Sequence, residues 1–362
     1  MSASNLHTPA LSASNTADPS PESFTVVSPA ASELELEPTF PNDAQFKVIP
    51  RIPECWGHRG ASASYPENTR ASFIEACNAG ADGIETDIHI TSDNVLVMFH
   101  DPNLERTTNG KGKIDHQPWN GVLEHVRTLE EPHQPIPRFT EVLDILMMPE
   151  NKNVKLNLDC KVENPPAKLF TLVKRAIETY PGWQSRLAPR IILGIWHPKF
   201  LAPAQEILPY LPRFAISMSL EETRKYFWKH VHGFSILFQA LASPEGARFR
   251  DECRAAHKDL CSWTVNGREE MLDCVRWGIR CIISDKPEQW REIRRQILKD
   301  PEVLKPSIAT HVLPWLSKKY YRFDYERLAS EETEYLEREG GRFADVVVPE
   351  IEMRIAKPGD AL

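Results

Sequence analysis

Glu85, Asp87 and His89 occupy alternate positions of the stretch GIETDIHI (83–90), interleaved with Ile84, Thr86, Ile88 and Ile90. Alternation at period two marks a β-strand with two unlike faces, one mostly β-branched and one carrying two carboxylates and an imidazole. A second stretch, KLNLDCK (155–161), repeats the pattern: Leu156, Leu158 and Cys160 share one face, and Asn157, Asp159 and Lys161 share the other. Residues two apart on a strand lie about 6.6 Å apart on the same side. Glu85 and Asp87 can therefore lean toward one ion, and Asp159 can join them from a neighbouring strand. Three carboxylates with room for water form an all-oxygen site suited to one divalent cation, Mg²⁺ or Ca²⁺, rather than a soft metal. These residue types leave a buried charge network open as the alternative.

Two histidines extend the chemistry. His58 and Arg59 lie in GHRG at the end of a predicted strand, and His100 lies in FHDP (99–102). A pair of imidazoles around a phosphate can take a proton from an attacking oxygen and give one to a leaving oxygen. Arg59 offers a planar fork to phosphate oxygens, and Lys161 adds a compact positive charge. The remaining histidines (His7, His89, His116, His125, His133, His197, His230, His232, His257 and His311) read as structural or solvated, although His89 and His197 lie near strand ends.

Such residues need a frame that aims several strand ends at one place. Apolar runs recur at 55–60, 83–90, 154–161, 190–196, 213–219, 233–239, 260–266 and 281–286, with helical patterns between most of them. TRASFIEACNAG is one such helix, with Phe73, Ile74 and Cys77 on one face and Gly80 at its end. VLVMFH (95–100) follows the 83–90 strand after the tight turn TSDN, which leaves no room for a helix, so it is expected as a hairpin arm. Eight strand–helix repeats favour a (β/α)₈ barrel, whose active site sits at the strand C-termini. No internal sequence repeat is visible.

Composition bounds the remaining choices. The 362 residues are 41% apolar and 26% charged, with a net charge of -8, which argues against a general nucleic-acid binder. Seven scattered cysteines without a CxxC pair argue against a zinc site or a disulfide framework and suit a reducing compartment. No apolar run approaches the ~18–20 residues of a membrane span. The N-terminus lacks an apolar signal-peptide core, and it lacks any Lys or Arg before Lys47, unlike a mitochondrial presequence. The expected location is cytoplasmic or peripheral on an intracellular membrane, such as the mitochondrial outer surface, the endoplasmic reticulum or a lipid droplet.

The quoted motifs carry a resemblance. WGHRGASASYPENTRASF, GADGIETDIHITSDNVLVMFHDPNLERTTNGKG, IPRFTEVLDIL, WTVN and IISDKP occur in this order between about Cys55 and Glu288. Together they resemble the glycerophosphodiester phosphodiesterase family. That resemblance implies a TIM barrel of the phospholipase-C-like phosphodiesterase type that hydrolyses glycerol-linked phosphodiesters with a divalent cation. By matching position it makes His58 and His100 the catalytic pair, Glu85, Asp87 and Asp159 the metal ligands, and Arg59 and Lys161 the phosphate contacts. Most members carry Glu in an E-x-K motif where this chain has Asp159 in DCK, one methylene shorter, which bears on metal preference. Trp263 is expected either in the wall of the glycerol pocket or as an ordinary barrel-core aromatic. Asn68 should shape the loop under His58, with Glu67 as a partner for Arg59.

LNLDCK, GIWHPKF and AISMSL, with the short connection 101–153, are most similar to the fungal phosphatidylglycerol phospholipase C subgroup. That implies a glycerophospholipid substrate cleaved to diacylglycerol and glycerol phosphate, with Trp196, Pro198 and Phe200 as an apolar rim. A soluble enzyme acting on deacylated diesters and a non-catalytic lipid-binding barrel are the alternatives. The expected organisation is a disordered Ser/Pro-rich tail over 1–46, a barrel over 50–299 and a charged extension over 300–362. In the extension, THVLPWLSKKYYRF (310–323) combines apolar and cationic residues suited to peripheral membrane contact. No nucleic-acid partner and no obligate protein partner is expected.

Overall fold

The computed structural model describes residues 51–306, 325–350 and Met353. The stretch 1–46 and the apolar–cationic stretch 310–323 lie outside the described residues.

Each expected run forms a strand: β1 (Glu54–His58), β2 (Gly83–Ile90), β4 (Lys155–Cys160), β5 (Ile191–Ile195), β6 (Arg213–Ser217), β7 (Gly233–Leu237), β8 (Asp259–Trp263) and β9 (Cys281–Ser284). All eight are parallel to their neighbours, and β1 pairs with both β2 and β9, which closes the sheet into a barrel. The hairpin arm is also present. β3 (Leu96–Met98) runs antiparallel to the end of β2, with Ile88 opposite Met98, so residues 99–102 turn back to the barrel mouth.

The two faces of each strand enter separate cores. Ile84, Ile88, Leu156, Leu158 and Cys160 point outward and pack with helix side chains such as Phe73, Val142 and Phe170. Trp56, Ile192, Phe214, Cys261, Cys281 and Ile283 fill the lower barrel interior. Gly83 permits this, because a Cβ there would lie 2.6 Å from the Trp56 ring. Above that apolar plug the inward positions turn polar.

Register then sets the height of each polar group. Asp87 stands opposite Asp159 across the β2–β4 pair, and His58 stands opposite Glu85 across β1–β2. The seven cysteines are free, as their spacing implied. No described helix is long and apolar enough to cross a membrane.

The extension is not a separate appendage. Its helix Tyr325–Gly340 belongs to the same compact unit as the barrel, Val48–Leu362. Beyond that helix, Phe343 is buried against His197, Tyr226 and Phe227. His197, the cap residue before the helical turn Pro198–Phe200, accepts the Lys199 amide at Nδ1 and therefore donates from Nε2 to the Gly341 carbonyl at 2.8 Å. This anchor lays the helix across the C-terminal end of the barrel.

Candidate active site

Glu85, Asp87 and Asp159 lie at 5%, 1% and 4% exposure, with one ligand oxygen from each within 4.8 Å of the others. Burial, with the charges of Asp87 and Asp159, pushes the Glu85 carboxyl well above its usual range. Burial also raises Asp87, but Lys161, His100 and Arg59 outweigh it and hold that carboxyl well below its usual range. Asp159 is pushed up to about 6 by burial and by Asp87, against the pull of Lys161. Three buried carboxylates thus face two cations of the chain, Lys161 and Arg59. An all-oxygen set with this excess of negative charge fits a divalent cation.

Both expected phosphate contacts line the same cavity, but each is engaged with carboxylates. Lys161 Nζ lies 2.7 Å from Asp87 and 3.0 Å from Asp159. Arg59 donates from Nη1 to Glu67 at 3.0 Å, the partnership expected from the loop motif. Its Nε, 3.5 Å from Asp87, is buried without a hydrogen bond. The turn that carries Arg59 is unusual. Arg59 and Gly60 both have left-handed φ, 54° and 85°, and a Cβ on Gly60 would lie 2.4 Å from the Ser72 hydroxyl. Only glycine fits there. Asn68, also left-handed with φ 53°, donates to Asp87 at 2.7 Å and accepts from Thr86 at 2.7 Å, so it orients the Asp87 carboxylate.

The two histidines are oriented alike. His58 Nδ1 lies 2.7 Å from Asp285, and His100 Nδ1 lies 2.7 Å from Asp101. A carboxylate only accepts, so each Nδ1 carries the proton and each Nε2 is left for chemistry. Asp285 is itself held by Ser62 and Asn266. Burial would raise its carboxyl, yet the His58 contact and those two bonds bring it down to about 2. Asp101 is held by Arg106, which also reaches Glu67 at 2.6 Å. His89, read as structural, is buried and contacts the His100 carbonyl through Nε2 at 3.2 Å.

These side chains surround a cavity of about 390 Å³. Trp263 lines it and also packs on the apolar plug of the barrel, while its indole N–H donates to the Ser235 carbonyl at 3.0 Å. Trp196 meets it edge to face at 5.5 Å and donates to Asp159. The apolar rim needs correction here. Pro198 and Phe200 are buried and do not line the cavity, since Phe200 packs on Phe170 inside the helix layer.

Sequence reasoning also missed several groups. Asp285 and Asp101 sit in the quoted motifs SDKP and HDP, immediately beside residues already singled out, and were legible in principle. Glu332, Tyr335 and Leu336 of the helix Tyr325–Gly340 line the cavity as well, and no local motif marked them.

Residues 58–289 match the glycerophosphoryl diester phosphodiesterase family. The chain belongs to that family. It is 26% identical over 254 residues to a glycerophosphodiester phosphodiesterase of Bacillus altitudinis, an alignment covering 67% of this chain and 99% of that protein. A glycerophosphodiester phosphodiesterase of Caldanaerobacter subterraneus subsp. tengcongensis is 26% identical over 261 residues, covering 64% and 93%. Among solved structures, the fold is similar to an Oleispira antarctica phosphodiesterase bound to its product sn-glycerol-3-phosphate. The TM-score there is 0.56 at 21% identity, covering 67% of this chain and 97% of that one. The protein is therefore a phosphoric diester hydrolase with the family's barrel. The matched residues end before the helix that covers its mouth.

Proposed function

We propose that this phosphodiesterase cleaves a deacylated glycerophosphodiester to glycerol 3-phosphate and an alcohol. One observation carries the choice over phosphatidylglycerol: Glu332, Tyr335 and Leu336 of the helix Tyr325–Gly340 close in on the cavity that acyl chains would have to leave, and two of the three residues expected as an apolar rim, Pro198 and Phe200, are buried away from it. The relatives named as glycerophosphodiester phosphodiesterases support the same reading.

Glu85, Asp87 and Asp159 would hold one divalent cation, Mg²⁺ or Ca²⁺, through an all-carboxylate set. When bound, that ion supplies positive charge to the phosphate region. The rest of the work falls to the chain. Arg59 and Lys161 bind phosphate oxygens. Among the described residues that line the cavity, no side chain offers an obvious covalent nucleophile, so the attacking oxygen is water or a hydroxyl of the substrate. The glycerol 2-hydroxyl stands next to the phosphoester, and its intramolecular attack can be worth up to ~7–11 kcal/mol. One histidine Nε2 takes the proton of that hydroxyl as its oxygen bonds phosphorus. The other protonates the alcohol oxygen as its bond to phosphorus breaks. Water then opens the cyclic phosphate with the two roles reversed, and glycerol phosphate leaves.

Product analysis on a panel of phospholipid vesicles and soluble glycerophosphodiesters tests the substrate class. Turnover confined to the soluble diesters is expected, and release of diacylglycerol would overturn the assignment. A 2-deoxyglycerol analogue tests the nucleophile: it should bind without cleavage, and rapid turnover would mean direct attack by water.

A further inference from the structure

The outer wall of the cavity is built from parts that the hydrolysis itself does not use. Glu332 faces it from the helix Tyr325–Gly340 and has no hydrogen-bond or ion-pair partner among the described residues. Burial, with the nearby charges of Asp159 and Glu163, raises its carboxyl against the pull of Lys161. Glu163 also lines the cavity. Its Oε1 accepts the Tyr335 hydroxyl, and its Oε2 is buried with no hydrogen bond. The nearby lysines are committed elsewhere: Lys161 to Asp87 and Asp159, and Lys199 to the Val162 carbonyl at 2.6 Å. Trp196 and Trp263 have their indole N–H groups engaged, so they offer the cavity ring surface, and Tyr335 adds a third aromatic side chain.

Unpaired carboxylates at a half-buried wall are costly unless a cation meets them. Aromatic rings beside them favour a weakly hydrated cation over a neutral group. We propose that Glu332, supported by Glu163 and the rings of Trp196 and Tyr335, selects substrates whose leaving alcohol carries a positively charged amine. The selectivity then resides in a helix outside the family-matched residues 58–289, while the barrel supplies the chemistry common to all alcohols. The inference rests on the reading of the site as a hydrolase of deacylated diesters.

The test compares kcat/KM of the Mg²⁺-loaded full chain on glycerophosphocholine and on glycerophosphoglycerol, which share the glycerol phosphate and differ in alcohol charge. The wild type should favour the cationic diester at least about tenfold, as expected for one charged contact. Glu332→Gln should reduce that ratio by about tenfold, mainly through KM, and Glu332→Asp should retain most of it. A wild-type ratio near one, or an unchanged ratio in Glu332→Gln, overturns the inference while leaving the hydrolase reading intact. Equal losses on both substrates would also overturn it, making Glu332 a purely structural residue. Failure of the folded wild type to cleave any soluble diester would remove the hydrolase reading and this inference together.

Discussion

The floor and the cover of the pocket are built on opposite plans. On the floor, Glu85, Asp87 and Asp159 ride on strands locked on both sides by parallel pairing, Lys161 follows directly after β4, and nearly every charge meets a partner within about 3 Å. On the cover, Glu332 and one oxygen of Glu163 have no such partner, and the helix that carries Glu332 is held by a few contacts: buried Leu336, the Tyr335–Glu163 bond, and, past its end, Phe343 and the His197–Gly341 bond. A floor of this kind holds its groups to tenths of an ångström, as charge redistribution at phosphorus demands. A cover can be retuned without disturbing that geometry. That division matches the proposed roles, reaction on the floor and choice of alcohol at the cover.

Breaking the floor should produce the largest effects. Asp87→Asn removes a carboxylate of the proposed metal site that also pairs with Lys161 and accepts from Asn68. Activity should fall by at least about 10³-fold, as with loss of a core electrostatic group, while circular dichroism stays unchanged. Stripping divalent ions with a chelator should likewise abolish turnover, with Mg²⁺ or Ca²⁺ restoring it. Full activity in metal-free buffer would remove the metal assignment.

His58→Ala and His100→Ala should each lower kcat by at least about 10²-fold, the scale of lost general acid–base catalysis. A loss below threefold for either would take that residue out of the reaction. Asp285→Asn keeps the shape but replaces a carboxylate that fixes the His58 tautomer. An intermediate loss of about tenfold is expected, together with a changed pH–rate profile.

On the cover, Phe343→Ala should destabilise the local anchor by about 3–5 kcal/mol, since it removes a buried aromatic side chain with three ring contacts. Hydrogen exchange should accelerate over Tyr325–Gly340 and stay unchanged in the barrel strands. Uniform acceleration through β2 and β4 would erase the distinction between floor and cover.

The smallest effect is one of pH. Burial pushes the His197 imidazole down to about 4 from its ordinary 6.5, only partly offset by its bond to Gly341. The unfolded segment then binds the proton more tightly than the folded one. The anchoring contribution is therefore complete above pH 6.5 and is lost as pH falls toward 4. Asp285 is depressed to about 2 from 3.8, so its contribution disappears only below 3.8. Between pH 6 and about 4.5, amide exchange in the cover helix, corrected for its intrinsic rate, should rise while the His58 contact persists. A pH-independent cover would show that His197 does not govern it.

Much of the floor could be read in the chain because strands make local pattern and spatial direction the same thing. Alternation in GIETDIHI and KLNLDCK sends Glu85, Asp87 and Asp159 inward and Ile84, Leu156 and Leu158 outward, whatever the neighbours are. Eight such runs with helices between them imply a closed barrel, and closure brings His58, His100 and the carboxylates to one end. The hairpin arm over 95–100 was equally readable, because four turn residues leave no length for a helix. The apolar rim was misjudged for a related reason. GIWHPKF carries Trp196, Pro198 and Phe200 at alternate positions, but a turn after β5 sends Phe200 into the helix layer and Trp196 toward Asp159, and turn direction is not a periodic signal.

The sequence by itself thus determined the barrel and the meeting of two histidines with an acidic triad at one end of it, since each depends on period, spacing and motif within one segment. Only the tertiary structure decided what stands over them. Glu332 lies 173 residues beyond Asp159 in the chain, and nothing local to YERLASEETEYLEREG distinguishes it from an ordinary solvent-facing glutamate. Its place at the cavity follows from burial of Leu336 and Phe343 and from the bonds of Tyr335 to Glu163 and His197 to Gly341, a long-range packing choice made largely by burial of apolar surface.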